Sequence, residues 1–297
     1  MKFSRELLTI DNVTYKTNRI EFFSLTDLEL YLLSNPEINK EVFATQKSVY
    51  MPESFAGDQL EKAIGYCHGG YDKGFQLFLK LKKELEHTNK IQSNFRRSRA
   101  SVLGNRPHVP NFIAGTPKTM MRLERAKEKK IIDVYFNLAY SGQTTQEQIR
   151  NRGILTLNLI NLFEQNNINV NLRVFEASRI NSELFIADIR LKKPGQAVNI
   201  GKCYYPLCGR EFVRRILIRV KESMPFTEKW GIGYGGILSE DLTRYLLDID
   251  NQKILIRSPI EIGLQGKDIY EDADIFFEHL NLSKNIHVPK YTDLKRT

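Results

Sequence analysis

The sequence predicts an α/β fold, a three-layer core of sheet and helices behind a mainly helical N-terminal region. Three neighbouring segments carry that expectation. "IIDVYFNLAY", residues 131–140, is a nearly continuous apolar run with β-branched and aromatic members, the pattern of a strand buried on both faces. "IRNRGILTLNLINLFEQNN" follows with helical spacing, Ile149, Ile154, Leu157, Ile160 and Leu162 among its apolar positions. "INVNLRVFEAS" then alternates, Ile168, Val170, Leu172 and Val174 against Asn169, Asn171 and Arg173. Strand, helix and strand at this spacing make a βαβ crossover, almost always right-handed.

The other elements extend the pattern. "ELFIADIRLKKPG" reads as a further strand, "GREFVRRILIRVKES" as a helix, "KILIRSPI" as a last strand and "EDADIFFEHLNL" as a closing helix. These place an α/β core at 130–282, followed by a tail at 283–297. Residues 1–93 read as mainly helical. Thr26 and Glu29 have capping-box spacing, and Pro36 ends the short helix they begin. "DQLEKAIGYCHGGYDKGFQLFLKLKKELEHTNK" reads as two helices broken at Gly69-Gly70, with Phe75, Phe78, Leu79, Leu81 and Leu85 on one face of the second. Residues 94–129 form a basic, Pro- and Gly-rich connector running into a helix-like "KTMMRLERAKEKK".

Composition narrows the function classes. The 297 residues are 41% hydrophobic and 27% charged, which supports a real core and argues against disorder. Lys plus Arg is 44 against 35 acids, a formal charge of +9, which favours an anionic partner, with DNA or RNA first. Three cysteines, Cys67, Cys203 and Cys208, make no disulfide framework, and no zinc-type spacing is present. No apolar run is long enough for a membrane span, and the N-terminal "MKFSRELLTI" has no signal-peptide core. The expected setting is thus a cytoplasm.

"FNLAYSGQTT" is the loop that draws attention. It lies at the end of a strand and before a helix, with Thr144 and Glu147 at capping-box spacing. Such a place suits an anion. Gly142 is its one glycine and it has no lysine, so neither a P-loop nor a dinucleotide fingerprint is present. Asn137, Ala139 and Ser141 hold alternate positions and resemble the D-x-S-x-S metal-ion-dependent motif of von Willebrand factor A domains. The acid is Asn and the middle hydroxyl is Ala, so no metal is expected there, and no cofactor. Asn137, Ser141, Gly142 and Thr144 remain the candidate ligand loop.

Two other readings concern nucleic acid. Arg210, Arg214 and Lys221 follow helical spacing opposite an apolar face, and Arg96, Arg97, Arg99 and Arg106 make the connector basic. Together they are the candidate phosphate-binding residues. Asp188, Arg190 and Lys192, with Glu176 or Glu183, could instead make a metal-dependent nuclease or phosphotransfer centre, although Arg stands where such enzymes place Lys. Cys67 and His68 are adjacent on a helix and point about 100° apart, so they form no thiol dyad. No catalytic residue is assigned.

From Ala56 to Leu282 the chain resembles an uncharacterised family of phage- and mobile-element-encoded proteins with a von Willebrand factor A-like core. The matching pieces are "AGDQLEKAIGYCHGGYDKGFQ", "GNRPHVPNFIAGTPKTMM", "SGQTTQEQIRNRGILTLNLINLFEQNNINVNLRVF" and "CYYPLCGREFVRRILIRVKE". The resemblance implies a von Willebrand factor A-like or Rossmann-like core and a viral or mobile-element origin, but no activity. The degenerate metal loop motivates the first reading, a non-catalytic binding or assembly protein of a host cytoplasm or a virion, with DNA, RNA, phage or host proteins as partners. The alternatives are the metal-dependent enzyme above and a virion component or host-directed inhibitor.

Overall fold

A computed structural model of the chain describes residues 1–10, 12–43, 45–71, 75–80, 98–104, 106–123, 130–165, 168–230 and 235–280. Its centre is a mixed sheet of seven strands among the described residues. The strands are β1 (Lys2–Ile10), β2 (Val13–Phe22), β6 (Ile131–Asn137), β7 (Asn169–Ile180), β8 (Glu183–Lys192), β9 (Gly236–Ile237) and β10 (Ile254–Ile256). Their order is β1-β2-β8-β7-β6-β10, with the short β9 paired to the far end of β7. A separate antiparallel sheet, β3 (Ser98–Ser101), β5 (Met120–Leu123) and β4 (Arg106–Pro107), carries the connector.

The expected crossover is present. β6 and β7 pair in parallel, Ile131 opposite Asn169 through Asn137 opposite Phe175, and the helix Gln146–Gln165 joins them. β10 flanks β6 on its other side, also in parallel. β6 is therefore interior, although its first residue, Ile131, is exposed and only Val134, Phe136 and Asn137 are fully buried. The strand stops at Asn137, so 138–140 belong to the loop.

The N-terminal region differs from the mainly helical expectation. Residues 2–22 form a hairpin, and β2 joins the sheet in parallel beside β8. Both faces of "VTYKTNRIEF" are partly buried, Tyr15 and Thr17 on one and Asn18, Ile20 and Phe22 on the other, so no single alternating apolar face marks the strand in the sequence. The helix Leu25–Leu33 follows as expected, but its cap is Ser24, whose side chain accepts from the Asp27 amide. The helix Leu60–Gly69 ends at Gly70, whose φ of 84° needs a glycine. Residues 75–80 are helical; Leu81 and Leu85 lie outside the described residues. "KTMMRL" runs into the middle strand of the small sheet rather than starting a helix: Met120 and Met121 pair with both β3 and β4.

Most helices cover one sheet face. Even-numbered β7 residues Val170, Leu172 and Val174 meet the helix Gln146–Gln165, the helix Ile200–Cys208 and the helix Ile269–His279 in one large core. Odd-numbered Phe175 and Ala177 face a smaller core closed by Leu238, Leu246 and Leu247 around the helix Glu240–Leu246. Burying each such side chain contributes about 1.5–3 kcal/mol. The central helix packs closely enough that a Cβ at Gly153 would stand 2.5 Å from the Leu207 carbonyl oxygen and would also strike Cys208 Sγ. No described helix is long and apolar enough to cross a membrane.

Candidate functional site

The end of β6 is closed by a cation of the protein itself. Arg152, one turn and a half into the central helix, is fully buried. Its Nη1 donates to the carbonyl oxygens of Asn137, at 2.9 Å, and Arg257, at 2.7 Å. These residues sit at the carboxyl ends of the adjacent parallel strands β6 and β10. The guanidinium also lies 4.1 Å from the centre of the Phe136 ring. Burial lowers its pKa to about 9, which still leaves it charged at neutral pH.

The loop beyond Asn137 is ordered by its own polar groups. Asn137 Oδ1 accepts from the Ala139 amide at 2.9 Å, so the side chain that resembles a metal ligand is used in a local turn. The helix cap is one residue later than the sequence suggests. Thr145 Oγ1 accepts from the Gln148 amide at 3.2 Å and Gln148 Oε1 accepts from the Thr145 amide at 2.8 Å. Thr144 is buried instead, and neither its Oγ1 nor Ser141 Oγ has a hydrogen-bond partner. Gly142 lies against the ring of Phe55. No group of three or more His, Cys, Asp or Glu capable of holding a metal ion is present among the described residues.

Next to this loop is a cavity of about 180 Å³. β7 explains why it exists. Its last pairing with β6 is at Phe175 and its first with β9 is at Ser178, so β6 has turned away before β9 arrives. Glu176 lies in that gap. Glu176 and Ser178 continue the even-numbered face of β7 and point toward the helices, where they meet Lys221. The Lys221 ammonium donates to Glu176 Oε1 and, at 2.9 Å, to Ser178 Oγ. It also lies 4.9 Å from the Phe185 ring centre and 5.2 Å from that of Trp230. Glu176 Oε2 has no hydrogen-bond partner.

Arg214 forms another wall. It donates through Nη1 to the Phe55 carbonyl, and its guanidinium lies 3.8 Å over the Phe55 ring and 5.5 Å from that of Tyr140. Its Nη2 has no partner. Burial lowers the Arg214 pKa and pushes that of the Tyr140 hydroxyl well up. Glu176, Arg214 and Lys221 are each more than nine-tenths buried.

Arg214 and Lys221 therefore do not form an outward stripe with Arg210. The segment Phe212–Leu217 is π-helical and is followed by the helix Ile218–Glu222. The wider i→i+5 turn breaks the 3.6-residue spacing on which that stripe rests. Its basic residues bind the N-terminal segment. Arg210 donates to the carbonyls of Glu53 and Ser54, Arg215 to those of Ser48, Val49, Met51, Gly57 and Asp58, and Arg219 to Pro36 and to Asn35 Oδ1. Arg106 is exposed in β4; Arg99 lies in β3; Arg96 and Arg97 lie outside the described residues.

The acids considered for a nuclease do not converge. Asp188 faces the smaller core side and is gripped by Arg173 through both nitrogens, Nε to Oδ1 at 2.9 Å and Nη2 to Oδ2. Glu176 is on the opposite face. A bulge between Leu172 and Arg173 shifts the register, so Lys192 turns to Glu164 at 2.8 Å and not toward Asp188. Glu183 accepts from the Thr227 and Glu228 amides. Cys67 is buried while His68 reaches outward to Glu29, so they form no dyad. The sequence reading did not find Arg152 or Ser178. The parity of "VFEAS" does place Glu176 and Ser178 together, but nothing local brings Lys221 to them.

The chain belongs to a family described as a domain of unknown function, DUF7192, whose model matches residues 9–284. No curated protein and no solved structure matches it.

Proposed function

We propose that this DUF7192 chain is a non-catalytic binding protein, phage-type in origin, built on a von Willebrand factor A-like core whose ion position has been taken over by the protein. The observation that carries the reading is Arg152. An internal guanidinium holds the carboxyl ends of β6 and β10, and the loop's Asn137 is engaged in a turn. A divalent cation beside that fixed charge would be repelled, and the loop itself supplies no carboxylate to neutralise it. The pairing of Asp188 with Arg173, on the sheet face away from Glu176, speaks against the nuclease alternative.

The partner best matched to a formal charge of +9 is a polyanion, with DNA or RNA first. Because Arg214 and Lys221 are buried, exposed residues such as Arg106 must supply the contacts. The setting is a host cytoplasm or a virion. The test is binding of fluorescent single- and double-stranded DNA and RNA between about 50 and 200 mM salt, with Mg²⁺ present and cleavage followed in the same samples. Salt-sensitive binding without cleavage is expected. Mg²⁺-dependent cleavage, or no binding at low salt, would reject it.

A further inference from the structure

We infer that the cavity between the 138–142 loop, β7 and the 212–222 helix is a binding site for a small organic monoanion that also carries a neutral hydrogen-bond donor. This goes beyond the proposed binding of a polyanion and stands without it, since the cavity is too small for a polymer and its charges are not on the surface.

Three features define the ligand. The first is net charge. Arg214 and Lys221 contribute two positive charges and Glu176 one negative, so the walls carry +1, and a monoanion brings the site to neutrality. The second is the pair of unused polar atoms. Arg214 Nη2 is a donor without an acceptor, and Glu176 Oε2 is an acceptor without a donor. Both belong to side chains more than nine-tenths buried, where an unmade hydrogen bond costs about 1–3 kcal/mol. A carboxylate against Arg214 and an N–H or O–H against Glu176 would satisfy both. The third is the remaining wall. Met51, Val213, Ile218 and Ile237 are apolar and suit a short hydrocarbon or methyl group. Lys221 is already committed to Glu176 and Ser178, so its role is to hold that carboxylate in place.

A zwitterion would leave the site at +1, and a simple carboxylate would leave Glu176 Oε2 unmatched. An N-acyl amino acid or a 2-hydroxy acid meets both requirements.

Trp230 is the chain's single tryptophan, buried and in contact distance of the Lys221 ammonium, so its fluorescence reports on the cavity. We would titrate the full chain with N-acetylglycine, lactate, propionate, glycine and inorganic phosphate. N-acetylglycine or lactate should give a saturable change, with propionate and glycine each at least about tenfold weaker. Arg214→Met, which keeps a stem over Phe55, and Glu176→Gln should each weaken N-acetylglycine by about tenfold or more. Ile237→Phe narrows the cavity from a partly exposed strand, so it should abolish binding while leaving the melting transition in place. No saturable change with any probe up to about 10 mM would overturn the assignment. Equal binding of propionate or glycine, preference for inorganic phosphate, or undiminished binding to folded Ile237→Phe would do the same.

Discussion

Arg215 Nη2 donates to the Met51 carbonyl oxygen at 2.7 Å, across 164 residues of sequence. It is the central bond of five that one buried guanidinium makes to the backbone between Ser48 and Asp58. That stretch has little regular structure of its own, only two helices of four residues, Lys47–Tyr50 and Glu53–Ala56. Arg215 supplies the donors that its carbonyls lack. Arg215→Met should therefore destabilise the protein by at least about 3 kcal/mol, since several buried acceptors lose a charged partner at once. Arg215→Lys should be intermediate, because an ammonium cannot span the same fork. Urea unfolding measures both; a loss under about 1 kcal/mol for Met would contradict this role.

The Glu176–Lys221 pair is buried on both sides. Lys221→Met should cost about 3–5 kcal/mol, because it leaves a carboxylate buried without its partner. The double change Glu176→Gln with Lys221→Met should recover part of that loss. The comparison requires chemical denaturation of the wild type and these two variants, and a double variant no more stable than Lys221→Met alone would refute the pairing energetics.

Gly153→Ala tests the closeness of the two central helices. Alanine gains about 1 kcal/mol of helix propensity, yet its methyl group would meet Leu207 O and Cys208 Sγ. Overpacking of this kind costs about 1–3 kcal/mol. The expected net result is a lower melting temperature, checked by circular dichroism.

Burial pushes the thiols of Cys67 and Cys203 up to about 12. A raised folded-state pKa means that the folded protein keeps protons that the unfolded chain releases. Stability from this source is thus complete below the ordinary thiol value and falls as pH rises from about 9 toward 12. Urea midpoints at pH 8 and 10 should fall accordingly. The thiols should resist alkylation at pH 8 until the chain unfolds; rapid labelling of native protein would contradict their burial.

The crossover was legible because β6 is a nearly continuous apolar run, the central helix and β7 show periods of 3.6 and 2, and each is contiguous. The hairpin of β1 and β2 was not. β1 is an outer strand with most residues exposed, so its pattern carries little apolar signal. The basic helix misled for a different reason. Arg214 reads as solvated because its helical spacing puts it opposite the apolar residues, but a π-helical turn carries it and Arg215 inward, and the carbonyls they bind lie more than 150 residues earlier. Arg152 was hidden in the same way: its acceptors are at 137 and 257, and no local spacing joins three such positions.

The central claim is that Arg152 stands in the cation position at the end of β6. Calorimetric titration of the wild-type protein with Mg²⁺ and Ca²⁺ tests it most directly. No saturable heat is predicted, because the position already holds a fixed positive charge and Asn137 is engaged with Ala139. A micromolar dissociation constant, about −8 kcal/mol, that disappears in Ser141→Ala would contradict it.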